Sequence, residues 1–239
     1  MTNISTPAPS RTSPAASKAG TTKAIPYEGD DWAQNLARTM ALPMLAMGLM
    51  AVAGGLVAGI VGGVNFGDFF APGGEVADLG RAEAAVQVTG ATLFLGMGFI
   101  LGGITMTLVN VVRSLRDAGR DVQRSLGAQP LQLRKPLTGK LTPHLMMMGV
   151  MIEVVAFVLG LVAAFTIGGV DPAAIADPAT ASAGDLGDIG FVRAVSAWLP
   201  GLRLLGVAVI LGSIVLTLTT IRSAIRFQGD RITELANGA

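Results

Sequence analysis

The stretch LGMGFILGGITMTLVNVVRSLRDAG, Leu95 to Gly119, occurs in this chain twice. Displaced by 110 positions it meets LGVAVILGSIVLTLTTIRSAIRFQG, Leu205 to Gly229. Ten of the 25 positions are identical: Leu95, Gly96, Ile100, Leu101, Gly102, Ile104, Thr107, Leu108, Arg116 and Gly119 each meet their own residue type. A shared apolar bias would produce a few such matches, but it would not align the glycines and the trailing Arg116 and Arg226 as well. The pattern reads as an internal duplication. Each copy begins as an apolar run and ends as a charged helix, so the repeated object is a membrane helix running out into water.

The rest of the composition agrees. The chain has 239 residues, of which 51% are hydrophobic and only 14% charged, too apolar and too charge-poor for an ordinary soluble domain. Four apolar segments account for this: Ala41–Val64, Val88–Val112, Leu145–Val170 and Val195–Ile221. Each supplies the ~20 residues that a helix rising ~1.5 Å per residue needs to cross ~30 Å of hydrocarbon. They lack the period-two alternation of a membrane β-barrel. Absence of cysteine removes disulfides, thiolate metal sites and cysteine nucleophiles from consideration.

The first 30 residues are a Ser/Thr/Pro/Ala-rich tail with nothing to bury, expected to be disordered. It has no apolar core like that of a signal peptide, so the first membrane helix is expected to act as the insertion signal. Trp32, Leu36 and Met40 then recur every four residues, predicting a short amphipathic helix in the headgroup region. Asp30 or Asp31 would cap it, and Pro43 would mark a turn into the first span.

Lys and Arg distribution sets the orientation. The connector Arg113–Lys140 carries seven basic residues, and Arg222, Arg226 and Arg231 follow the last span. Asn65–Gln87 has only Arg81 against four acids, and Asp171–Val192 has four aspartates and no base. The positive-inside rule places both termini and the connector in the cytoplasm of a multi-pass protein of the cytoplasmic (plasma) membrane, with both acidic loops outside.

The duplication extends past the opening stretch, since Gly55-Leu56-Val57-Ala58 recurs as Gly160-Leu161-Val162-Ala163. The expected fold is therefore an all-α integral membrane protein of four transmembrane helices, arranged as two tandem hairpins. Residues 31–126 form the first hairpin, 127–140 a cytoplasmic linker and 141–239 the second. Two helices per repeat keep both copies in the same orientation, so a pseudo-two-fold axis should run along the membrane normal.

Small residues fall at four-residue spacing in the spans: Ala51, Gly55, Gly59 and Gly63; Gly98 and Gly102; Ala156, Gly160, Ala164 and Gly168; Ala208 and Gly212. Lipid gives no hydrophobic drive for helix association, so close backbone approach over such ridges supplies packing energy. The ridges predict a compact bundle or an oligomer.

Two charges lie within the spans. Glu153 is about 7 Å from the centre of the third helix by the ~1.5 Å rise, where a charge costs about 2.5–3.5 kcal/mol on insertion scales. On the 105-position offset its counterpart is Gly48. It reads either as a proton- or cation-coupling site or as an acid bonded within the bundle. Arg203, where the first repeat has Leu93, can extend its stem towards the headgroups. A direct ion pair between the two would have to bridge over ~10 Å of depth.

His144 with Met148 and Met151 is a thin candidate for Cu(I), with core filling by methionine as the alternative. No phosphate loop, zinc helix, catalytic serine arrangement or nucleic-acid patch is present. The expected function is a non-catalytic accessory, assembly or scaffold subunit without a cofactor. Its partners would be the lipid bilayer and other membrane subunits, or further copies of itself. The alternative is a small proton- or cation-coupled transporter or channel using Glu153.

Overall fold

A computed structural model describes residues 24–26, 32–133 and 137–238. The described residues are all-helical apart from one short strand pair. Four helices are long and apolar enough to cross a membrane: α1 (Trp32–Phe70), α2 (Val76–Ser125), α3 (Leu137–Gly169) and, after the one-turn helix α4 (Pro172–Ala176), α5 (Ala183–Gly238). By length and composition this marks a membrane protein.

The helices exceed the apolar segments that nucleate them. With 50 and 56 residues, α2 and α5 reach about 75 and 84 Å at ~1.5 Å per residue, well beyond a ~30 Å hydrocarbon layer. Much of what reads as loop is therefore helix. Only 71–75 join α1 to α2, with Gly73 at φ +86° making the turn that a side chain would strain. Between α3 and α5, Asp171 and Asp177 each accept a hydrogen bond from the backbone N–H two residues on, capping α4 and a single 3-10 turn.

Pro43 does not break the first helix. The segment expected to lie separately in the headgroups continues into the span, and α1 is unbroken from Trp32 to Phe70. The lost backbone donor falls on an exposed side of the helix, and the Thr39 hydroxyl donates to the Asn35 and Leu36 carbonyls in the turn before it. Neighbouring polar groups of this kind let membrane helices tolerate proline.

The tail also departs from expectation at one place. Ala24–Pro26 (β1) pairs antiparallel with Leu131–Leu133 (β2) of the connector. The remainder of the tail, 1–23 and 27–31, lies outside the described residues. Behind β2, fully buried Gln123 (0% exposed) acts as a clasp. Its amide accepts from Leu131 N–H, donates to Leu131 C=O and donates to Gln228 of α5.

Helix α2 is the centre of the bundle, packing on α1, α3 and α5, while α3 packs on α5. Large apolar side chains such as Leu42, Ile60, Phe165 and Leu204 point outward, and the interior is mainly glycine, alanine and threonine. This distribution suits a bundle whose solvent is lipid.

The tight ridge on α1 repeats every seven residues. A Cβ on Gly48 would lie 2.8 Å from the Gly96 carbonyl oxygen and the Ile100 nitrogen, one on Gly55 2.9 Å from Leu93, and one on Gly62 2.9 Å from Ala85. Geometry explains the difference from the four-residue reading. At ~3.6 residues per turn, each four-residue step rotates about 40° off the contact line, whereas a seven-residue step rotates only about 20°. Gly59 still touches Thr89, but Gly63 faces open space.

Candidate functional site

Burial on α3 follows a three-and-four alternation: Met146, Gly149, Glu153, Ala156, Gly160, Ala163 and Ile167 form one face. Position 153 thus belongs to the packed seam by period alone. On α5 the buried face runs through Leu199, Arg203, Gly206, Ile210, Ser213 and Thr217. These faces meet against α2, so the two charged residues of the spans enter the same three-helix junction. Glu153 is 1% exposed and Arg203 7%.

Glycines make the room. A Cβ on Gly98 of α2 would lie 2.9 Å from Cγ of Glu153, and one on Gly206 of α5 would collide with its carboxylate. One turn before Gly206, Arg203 extends into a second cradle. Its Nη1 would be 2.7 Å from a Cβ on Gly90, and its Nη2 2.9 Å from one on Gly160. The guanidinium carbon lies 5.6 Å from the centroid of the Phe94 ring, a cation–π distance.

The pair does not close into a salt bridge. Both carboxylate oxygens of Glu153, and Nε and Nη2 of Arg203, are buried with no hydrogen-bond partner among the described residues. The cradles explain the gap. Gly160 is seven residues from Glu153 along α3, about 10 Å at ~1.5 Å per residue. Buried polar atoms are almost always bonded, so four orphans in one junction stand out.

Other polar contacts flank the junction along the α2–α5 seam. Gln87 donates to Ser196 at 3.0 Å towards the end carrying the acidic turns. Buried Thr105 and Ser213 lie 3.4 Å apart towards the basic end, and Gln123–Gln228 closes the seam there.

The remaining predicted residues scatter. Gly102 packs on Met44 and Val150, and Ala156 and Ala164 are buried, but Gly168 has only Ala84 at 3.9 Å. Ala208 is exposed and Gly212 meets nothing within 4 Å, so the α5 ridge read at four-residue spacing is not an internal contact. His144, Met148 and Met151 all lie on an exposed face of α3. The His144 Nδ1 is engaged with the Lys140 carbonyl at 3.0 Å, and the ring meets Trp32 edge-on.

Sequence reasoning did not single out Gly90, Gly206 or Phe94 as parts of the site. Gly206 carried a signal, being one of the identities in the repeated stretch. Gly90 and Phe94 carried none, because their role depends on which helix lies opposite. Comparison with known families, with curated proteins and with solved structures finds no match to this chain.

Proposed function

We propose that this protein is a non-catalytic assembly or scaffold subunit of a cytoplasmic membrane, with both termini on the cytoplasmic side, and that it binds other membrane helices through the bare face of α5. The observation that carries the reading is an asymmetry in packing. Helix α2 is enclosed by α1, α3 and α5, whereas no comparable packing joins α1 to α5. The face left open on α5 includes Gly201, Ala208 and Gly212, all exposed, and their small side chains allow a partner helix to approach closely.

Duplication supports the same reading. The contact of Gly48 with Gly96 O and Ile100 recurs as Gly149 with Gly206 O and Ile210. These contacts align α1 with α3 at an offset of 101 and α2 with α5 at 110. The counterpart of Glu153 is then Val52, which touches Gly96 as Glu153 touches Gly206, and not Gly48 as the 105-position offset implies. Gln87–Ser196, Thr105–Ser213 and Gln123–Gln228 join α2 and α5 at separations of 109, 108 and 105. Such near-constant offsets belong to parallel neighbours, as a two-fold axis along the membrane normal between them requires. On that axis Gly102 and Gly212 are counterparts. The first is covered by α1 and α3, and the second awaits a partner.

The absence of native cysteine makes the test direct. Gly212→Cys and Ala208→Cys should form oxidative or bifunctional cross-links in native membranes, and mass spectrometry of the product would identify the helix captured. Absence of cross-links at both positions, with a monomer on mild-detergent extraction, would refute the reading.

A second reading, a small proton- or cation-coupled transporter or channel, draws on the burial of an unpartnered carboxylate at Glu153. Cation flux in liposomes driven by a pH gradient and abolished by Glu153→Gln would replace the first reading with this one.

A further inference from the structure

We infer that the junction of α2, α3 and α5 is a water-binding site, in which ordered water bridges the carboxylate of Glu153 to the guanidinium of Arg203. The inference is independent of the helix-docking role above.

Four buried polar atoms carry it: two acceptors on Glu153 and two donors, Nε and Nη2, on Arg203, none with a partner among the described residues. Their chemistry is complementary. Water donates to a carboxylate and accepts from a guanidinium, and so satisfies both ends at once. No direct ion pair joins the two groups, and the step of about 10 Å between the Cα levels of Glu153 and Gly160 suits bridging by water. Buried waters occupy such places, taking two to four hydrogen bonds from groups that would otherwise be orphaned. Without them these polar groups would stand desolvated in the bundle, which is unfavourable.

The junction also has a polar approach. The Gln87–Ser196 hydrogen bond lies one turn of α2 beyond Gly90, which cradles the guanidinium. Water therefore has hydrogen-bonding groups leading from the acidic end towards Arg203. On the opposite side Gly98 is packed against the stem of Glu153 and Gly206 against its carboxylate, and Ile210 stands beside Gly98. The first hairpin offers the dry comparison, with Val52 against Gly96 and Leu93 against Gly55 where the second has the two charges.

Hydroxyl-radical footprinting by synchrotron radiolysis tests the site, because radicals made from bound water label the side chains around it. Phe94 is the reporter, with its ring 5.6 Å from Arg203. Phe165 is the control, nearer the acidic end of the bundle and 79% exposed on its outer surface. In nanodiscs, Phe94 of the wild-type protein should be labelled about tenfold faster than Phe165, as expected for a ring beside ordered water rather than beside lipid. The double variant Glu153→Val/Arg203→Leu, which installs the residue pair of the first hairpin, should bring Phe94 down to the Phe165 rate. Equal labelling of the two rings in the wild-type protein overturns the inference, whatever the variant does. Unchanged Phe94 labelling in the double variant also overturns it, and Arg203→Leu alone serves for this arm if the double variant does not insert.

Discussion

Adding one methyl group at Gly48 and one at Gly212 should have opposite consequences. Both are mid-span glycines, so Gly→Ala raises intrinsic helix propensity by about 1 kcal/mol at each, and this contribution cancels in the comparison. What remains is packing. A Cβ on Gly48 would lie 2.8 Å from the carbonyl oxygen of Gly96 and 2.8 Å from the nitrogen of Ile100. Both are backbone atoms, so no rotamer change relieves the clash and α1 must move away from α2. Overpacking of this kind costs about 1–3 kcal/mol. A Cβ on Gly212 meets nothing within 4 Å. Gly48→Ala should therefore be less stable than Gly212→Ala by about 1–3 kcal/mol. Reversible unfolding of the monomer in mixed micelles, followed by circular dichroism, measures the difference. Agreement of the two variants within about 0.5 kcal/mol, the usual scatter of surface substitutions, would refute the seven-residue ridge as the hairpin contact. In native membranes the order should invert for assembly: Gly212→Ala should weaken association with the partner helix while leaving the monomer intact.

The buried pair gives a thermodynamic cycle: Glu153→Val alone leaves Arg203 uncompensated and should cost about 3–5 kcal/mol, whereas Glu153→Val/Arg203→Leu should be near neutral or stabilising. Additive effects in the same micelle assay would show that the charges do not interact. Glu153→Gln keeps the shape and hydrogen-bonding capacity of the side chain and should be nearly silent for assembly; loss of the assembled species on a native gel would contradict this. Gln123→Ala removes the clasp on Leu131 and Gln228, at about 1–3 kcal/mol for the groups left unpaired. Its first sign should be faster amide hydrogen exchange in 124–133, and unchanged protection there would remove the clasp from the account. For orientation, single cysteines at Gly74 and Ala181 should react with an impermeant thiol reagent in intact cells, and those at Ala128 and Ala236 should not. Labelling of Ala128→Cys from outside would reverse the topology.

The sequence by itself determined the four helices, because crossing a bilayer depends on the length and composition of each segment alone. The repeated stretch Leu95–Gly119 and the apolar runs needed no neighbour to be read. Helix ends were less legible: α2 and α5 continue through charged sequence because polar residues are as compatible with helix in water as apolar ones are in lipid. The tertiary structure decided which face of each helix is inside. Four-residue and seven-residue spacing both place glycines on a stripe, and only the contact with α2 selects Gly48, Gly55 and Gly62 and leaves Gly63 and Gly212 bare. Likewise Glu153 and Arg203 were visible as charges in apolar spans, yet their common junction depends on α3 and α5 both facing α2. Sequence fixes the position of a side chain along its own helix, whereas its surroundings are set by helices that are distant in sequence and adjacent only after the bundle has closed.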